Sequence, residues 1–133
     1  EQATMTRLMY NDLLSPLLGM RTYRVQGHER TFLSCGQIEV DEVYVGDDGE
    51  RKYIIPISGK GGDKDFLSYT QALNLSLYGK EKEAYKGYEI LPLGVTRQTT
   101  GEIYVIEFTC SSDIHGIKIK KVGKFTRINE QGQ

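Results

Sequence analysis

The chain has no tryptophan, only two cysteines, two histidines and three prolines, and each scarcity narrows what it can be. Cys35 and Cys110 have no metal-ligand spacing and are too few for a disulfide framework, so they read as two reduced, partly buried thiols. His28 and His115 stand far apart with no neighbouring Cys or His, which argues against a zinc site and leaves each as a surface histidine. No Gly-x-Ser-x-Gly nucleophile elbow occurs. No run approaches the roughly 20 apolar residues of a membrane span, and no signal peptide is visible. With reduced thiols, this points to a cytoplasmic home. A basic excess is missing too: 17 Lys and Arg against 18 Asp and Glu leave a formal net charge of -1. Any nucleic-acid surface must then be a local patch.

What is present is globular. At 133 residues, with 38% hydrophobic and 26% charged side chains, the chain is expected to form a single domain spanning 1–133 with one core. It begins at Glu1 rather than methionine, so it reads as a piece of a longer chain or a processed one. Fifteen glycines suggest many turns between short strands. Leu8, Met9, Leu13, Leu14, Leu17 and Leu18 recur at helical spacing, which predicts an amphipathic helix over Thr6–Met20, split at Pro16 with Ser15 as the second cap. Arg21–Arg30 reads as a loop or edge strand. Thr31–Cys35 looks extended, and Gln37–Val45 predicts one strand, joined through an Asp47-Asp48-Gly49 turn to a returning strand at Tyr53–Ile57. A helix is expected from Asp65 to Tyr78 and a charged loop from Gly79 to Gly87. Two hairpins should follow, Tyr88–Arg97 with Glu102–Cys110, then Ile117–Val122 with Phe125–Ile128 about Gly123. The order predicts an α+β (mixed α/β) domain with a largely antiparallel sheet.

Chemistry concentrates between Gly36 and Gly62. Glu39, Asp41 and Glu42 put three carboxylates within four residues, and the returning strand ends in Ser58-Gly59-Lys60-Gly61-Gly62. If residues 37–45 form one strand, alternation places Glu39, Asp41, Val43 and Val45 on one face and Ile38, Val40, Glu42 and Tyr44 on the other. Asp41 then sits among apolar neighbours, a costly position unless a cation or donor compensates it. Mg²⁺ takes hard oxygen ligands, commonly one or two carboxylates with waters and phosphate oxygens. A nearby lysine can orient or deprotonate a water and stabilise developing phosphorane charge. A solvated polar hairpin accounts for the same spacing. The glycines around Lys60 suit a phosphate cradle at a helix N-terminus, but lack the nucleotide-triphosphate loop pattern, and a plain strand-to-helix turn serves equally. Lys118, Lys120, Lys121 and Lys124 read as a solvated strand edge, with a phosphate-contacting patch as the alternative. Nine tyrosines, spread over the chain, read as the rim of the core rather than a stacking surface.

Together, Gln37-Ile38-Glu39-Val40-Asp41-Glu42-Val43-Tyr44-Val45-Gly46, Tyr53-Ile54-Ile55-Pro56-Ile57-Ser58-Gly59-Lys60-Gly61-Gly62 and the later Gln71 resemble the core of the restriction-endonuclease-like (PD-(D/E)XK) nucleases. The similarity runs from about Asn11 through Phe108 and is most specific over 37–62. It implies a mixed sheet with flanking helices and a Mg²⁺- or Mn²⁺-dependent endonuclease acting on DNA. It makes Asp41 the metal-binding aspartate, Lys60 the catalytic lysine, Gln71 an accessory polar residue, and Ser58 the occupant of the second acidic position. Here the chain departs from the pattern, because a serine hydroxyl is neutral. Glu39, on Asp41's predicted face, or Glu42, given a strand distortion, would compensate; the Gly59 carbonyl completes the implied metal set. A nuclease cutting both strands often uses two sites, so a homodimer is compatible with the reading. The alternative is a catalytically silent relative that binds DNA or another protein.

Overall fold

The computed structural model describes residues 14–61, 68–97 and 101–126, the side chains of Lys60 and Thr126 excepted. Among the described residues nine strands run in the order β1 (Arg21–Gln26), β2 (Glu29–Leu33), β3 (Gly36–Val40), β4 (Glu42–Asp47), β5 (Lys52–Gly61), β6 (Glu89–Ile90), β7 (Leu93–Arg97), β8 (Glu102–Phe108) and β9 (Ile119–Thr126). A helical turn α1 over 14–18 precedes them, and helix α2 (Tyr69–Glu81) lies between β5 and β6. Seven strands form the main sheet, ordered β1-β4-β5-β7-β8-β9 with β6 also against β5, while β2 and β3 pair by themselves. All main-sheet pairs are antiparallel except β5 with β6 and with β7. The architecture is therefore the mixed α/β, mostly antiparallel one expected. Among the described residues no helix is long and apolar enough to cross a membrane.

Alternation along β5 feeds two cores. Ile55 and Ile57 pack with Leu14, Tyr44, Leu93, Val95 and Val105, backed by Leu17 and Leu18 of α1. Ile54, on the opposite face, packs with Val43, Ile38, Val40, Leu75 and Tyr78, beneath α2 and the β2–β3 hairpin. Pro56 occupies this central strand because its missing N–H falls opposite a gap. The Ile54 carbonyl accepts from Leu91 N, so two residues on Pro56 turns the same way, toward the break between β6 and β7.

The expected strand over Gln37–Val45 is broken at Asp41. Its first half pairs with β2 and its second with β1 and β5. The alternation changes phase across the break: Ile38 and Val40 share a core with Val43, while Tyr44 joins the other. An unbroken strand would have sent half of these apolar side chains to the wrong side.

Other expectations change for equally local reasons. Ser15 and Pro16 lie inside the helical turn rather than at a new start, since the turn already includes Leu14; Gly19 N donates to Ser15 O at 2.8 Å. The Ser15 hydroxyl pairs with Thr22 Oγ1 at 2.9 Å. Residues 1–13, with the earlier part of that expected helix, lie outside the described residues. Arg21–Gln26 is the edge strand allowed for, and the Asp47-Asp48-Gly49 turn is held by Asp47 and Asp48 accepting backbone N–H groups. The last expected hairpin is instead one strand, β9. At Gly123 a Cβ would lie 2.8 Å from Leu17 Cδ1, so this glycine admits α1 against the sheet and makes no turn. Both cysteines are unpaired, and Lys118, Lys120, Lys121 and Lys124 are exposed, the last three on β9.

Helix α2 likewise runs past Gly79, where a charged loop was expected, to Glu81. A Cβ at Gly79 would meet three atoms of the Ile90 side chain at 2.6–2.9 Å. Gly79→Ala therefore opposes helix propensity, worth about 1 kcal/mol in alanine's favour, against overpacking worth about 1–3 kcal/mol. With Ile90 gripped over its whole side chain, chemical denaturation is expected to show a net loss of about 1 kcal/mol; Gly79→Ala with Ile90→Ala should recover the overpacking part.

Candidate functional site

The break at Asp41 and the end of β4 create a local opening. Glu42 is the first residue of β4 and lies opposite Ile57, so the edge of β5 beyond Ile57 has lost its neighbour. Asp41 covers the beginning of that edge. Its N–H donates to Ile57 O at 2.9 Å, and its Oδ2 accepts from Gly59 N at 2.7 Å. Because N–H and C=O of one strand residue point to the same edge, the Gly59 carbonyl faces this opening as well.

Helix α2 supplies the opposite wall. Ser68 caps it, with its hydroxyl accepting from Gln71 N at 3.1 Å and its own N–H donating to Gln71 Oε1 at 2.9 Å. This capping box holds the Gln71 carbonyl at the helix start and leaves the amide NH₂ without a partner among the described residues. Asn74, one turn later on the same face, also reaches the opening. Arg30, Gln37, Glu39, Asp41, Ser58 and Gln71 are among the residues that line the resulting cleft of about 520 Å³, with Gly59 and Asn74.

The β2–β3 hairpin forms the remaining wall because α2 fastens it at three points. Ser34 N donates to Glu81 Oε1 at 2.9 Å, and the Cys35 thiol donates to Asn74 Oδ1 at 3.8 Å. At the hairpin's other end Glu29 accepts from Lys82 Nζ at 2.7 Å and from the buried Tyr78 hydroxyl. Burial alone would push the Glu29 carboxyl up, but hydrogen bonds from Lys82, Tyr78 and Gln26 outweigh it and hold the group below the ordinary glutamate value.

Glu39, Asp41, Ser58, Gly59 and Gln71 thus meet in one cleft, as their spacing alone could not establish. Lys60 continues β5 opposite Thr96, but its side chain, and Gly62 after it, lie outside the described residues. Two expectations about the acids change. Glu39 lines the cleft with Asp41 but is already engaged: it is exposed on β3, accepts from Arg30 Nε at 2.9 Å, and lies 3.5 Å from His28 Nε2. Those partners, Arg30 first, hold its carboxyl below the usual range. The distortion that Glu42 needed does exist, yet Glu42 turns away from the cleft, 4% exposed and 2.6 Å from Arg24 Nε. Among the described residues no three His, Cys, Asp or Glu side chains converge to hold a metal.

Gln37, Asn74 and Arg30 were not singled out in the sequence. Asn74 carries a findable signal, since it follows Gln71 by three residues on one helix face. Arg30 required the hairpin register, which sets it opposite Glu39. Compared with known proteins, the chain matches no family model, no curated protein and no solved structure.

The Glu29 cluster predicts a pH dependence. A carboxyl whose folded value is lowered contributes stability in full above its unfolded value, ordinarily 4.5, and loses it as pH falls through the lower folded value. Glu29→Gln is expected to cost about 1–2 kcal/mol at neutral pH. In urea melts across the acid range, the variant's stability should fall less steeply than the parent's; parallel curves would remove the assignment.

Proposed function

We propose that the protein is a metal-dependent DNA endonuclease of restriction-endonuclease-like type. The observation that carries this reading is the strand break that turns the Asp41 carboxylate over Gly59, beside Ser58 and facing Gln71. Resemblance over residues 37–62 supplies the class, and the mixed sheet with α2 between the parallel strands β5 and β7 is compatible with it.

The donors suit a hard cation. Asp41 Oδ1, the Gly59 carbonyl and the Ser58 hydroxyl are all oxygens, and Mg²⁺ commonly takes few protein ligands and completes its shell with waters and substrate phosphate. A bound Mg²⁺ or Mn²⁺ would supply charge neutralisation at the scissile phosphate. The chain's own groups have separate tasks. Gly59 N–H fixes which Asp41 oxygen is spoken for, Gln71 NH₂ donates to a phosphate oxygen, and Lys60 orients the attacking water and takes or relays its proton. On this reading the substrate is DNA, the setting cytoplasmic, and a homodimer would present two such clefts to the two strands.

A second reading rests on a specific observation. With Glu39 bound to Arg30 and Ser58 neutral, Asp41 is the one carboxylate of the cleft without a cationic partner among the described residues. A site so short of negative charge suits a module that binds DNA without cutting it.

Plasmid cleavage in Mg²⁺ and Mn²⁺ separates the two. If the protein is the endonuclease, Lys60→Ala and Asp41→Asn should each lower the rate by a hundredfold or more, about 3 kcal/mol of transition-state stabilisation. Ser58→Glu should raise it. Equal rates in parent and Lys60→Ala, or no cutting by parent and Ser58→Glu alike, would remove the catalytic claim.

A further inference from the structure

The cleft has two ends, and the second is not explained by phosphodiester chemistry. Asp41 and Ser58 lie at one end. Strand β3 leads away from them, and Gln37 lies four residues back, about 13 Å at the usual rise per residue. Directly opposite Gln37 on β2 is Phe32, and opposite residues of an antiparallel pair share a face. Arg30, Phe32, Gln37 and Glu39 therefore form the outer face of the hairpin, three of them lining the cleft. Phe32 is 78% exposed, the most exposed large apolar side chain among the described residues.

A lone exposed apolar residue needs no explanation; what matters is the company Phe32 keeps. Its cross-strand neighbour Gln37 makes no side-chain hydrogen bond among the described residues and offers both an amide donor and an acceptor. Across the cleft, the Asn74 carbonyl is taken by the Cys35 thiol and the Gln71 carbonyl by Ser68 N. Their NH₂ groups remain as two donors one helical turn apart, without partners among the described residues. An open aromatic face, a two-way amide beside it and neutral NH₂ donors match the flat surface and mixed donor-acceptor edge of a nucleobase. They also match it only when the base is out of a duplex, because bases inside a helix are stacked on both faces and leave a phenyl ring nothing to cover.

We infer that the β2–β3 hairpin and α2 form a subsite for an unpaired nucleotide, with Phe32 stacking on the base and Gln37 and Asn74 addressing its edge, so that the preferred substrate carries a single-stranded segment beside the scissile phosphate. The inference rests on the nuclease reading for the class of polymer, and adds to it the state of the strand. Arg30 serves this subsite as a positioning residue, because its bond to Glu39 keeps that carboxylate occupied along the path of a polyanion.

Fluorescence anisotropy in EDTA tests it without cleavage, using an oligothymidylate and a blunt duplex as probes. The single strand should bind more tightly than the duplex. Phe32→Ala should weaken the single strand by about tenfold or more, as loss of one stacked base does, while leaving the duplex unchanged, and Phe32→Tyr should keep parental affinity. The exposure of Phe32 makes misfolding of these variants a minor concern, and their circular dichroism checks it. Unchanged single-strand affinity in Phe32→Ala, or an equal loss on both probes, overturns the inference. So does a Phe32→Ala effect confined to self-association in sedimentation. Failure of the nuclease reading looks different: Phe32-dependent single-strand binding would persist, while parent and Asp41→Asn would cut equally or not at all.

Discussion

The pair of hydrogen bonds from Asp41 to β5, its N–H to Ile57 O and its carboxylate from Gly59 N, is the constraint on which the rest of the cleft depends. A strand that leaves one sheet for another must satisfy the backbone groups stranded at the crossing. Here a single residue does so with main chain and side chain together. Because it does, Ile38 and Val40 can enter the same core as Val43 despite the odd spacing, and the hairpin can fold over α2 instead of extending β4. Replacing the Gly59 contact with water would leave the crossing without its lateral tie, and the wall formed by β3 would be less firmly held against β5.

Electrostatics follow from that geometry. The three neighbouring acids, 39, 41 and 42, would repel one another if left without counter-charges. Each finds a different partner: Glu39 pairs with Arg30 and His28 at the hairpin side of the cleft, Glu42 turns to the other side of the sheet with Arg24, and Asp41 accepts from Gly59 N. Both arginines come from the chain just upstream, so the segment Arg21–Arg30 is a set of counter-charges for the acids that follow it rather than a diffuse basic patch. Glu42 illustrates the stakes, since removing the Arg24 guanidinium would leave a buried carboxylate without compensation, a change typically costing several kcal/mol.

How much of this was legible in the sequence depends on the length scale of the cause. Local causes were readable: the Asp47-Asp48-Gly49 turn, the edge character of Arg21–Gln26, the strand over Tyr53–Ile57 and a helix carrying Gln71 all follow from side chains and their immediate neighbours. Non-local causes were not. Gly79 and Gly123 look like punctuation, yet each serves a close approach by a residue distant in the chain, Ile90 and Leu17. Asp41 belongs to the same category. Its neighbours have continuous strand propensity, and only the competition between β2 and β5 for the two halves of the segment forces the break. The acid pattern marked Asp41, the resemblance supplied Ser58, Gly59 and Gln71, and Gln37 and Asn74 were missed, because their amides carry no signature until the hairpin and α2 bring them to one opening.

The side chain at position 58 weighs on the charge balance of the whole opening. A carboxylate there would add negative charge to a cleft whose other acid is held in place by a neutral peptide N–H, and two such charges are tolerated mainly when a cation is shared between them. Serine removes that demand. The cleft then keeps Asp41 as its one carboxylate without a cationic partner among the described residues, beside the neutral amides of Gln37, Gln71 and Asn74, and on the proposed reading a polyanion could bind it without a metal binding first. On the proposed reading, ligand binding and metal binding, coupled in a two-carboxylate site, would become separable here. Ser58 would then bear on catalysis and Phe32, Gln37 and Asn74 on recognition, although all four lie along one short stretch of β2, β3, β5 and α2.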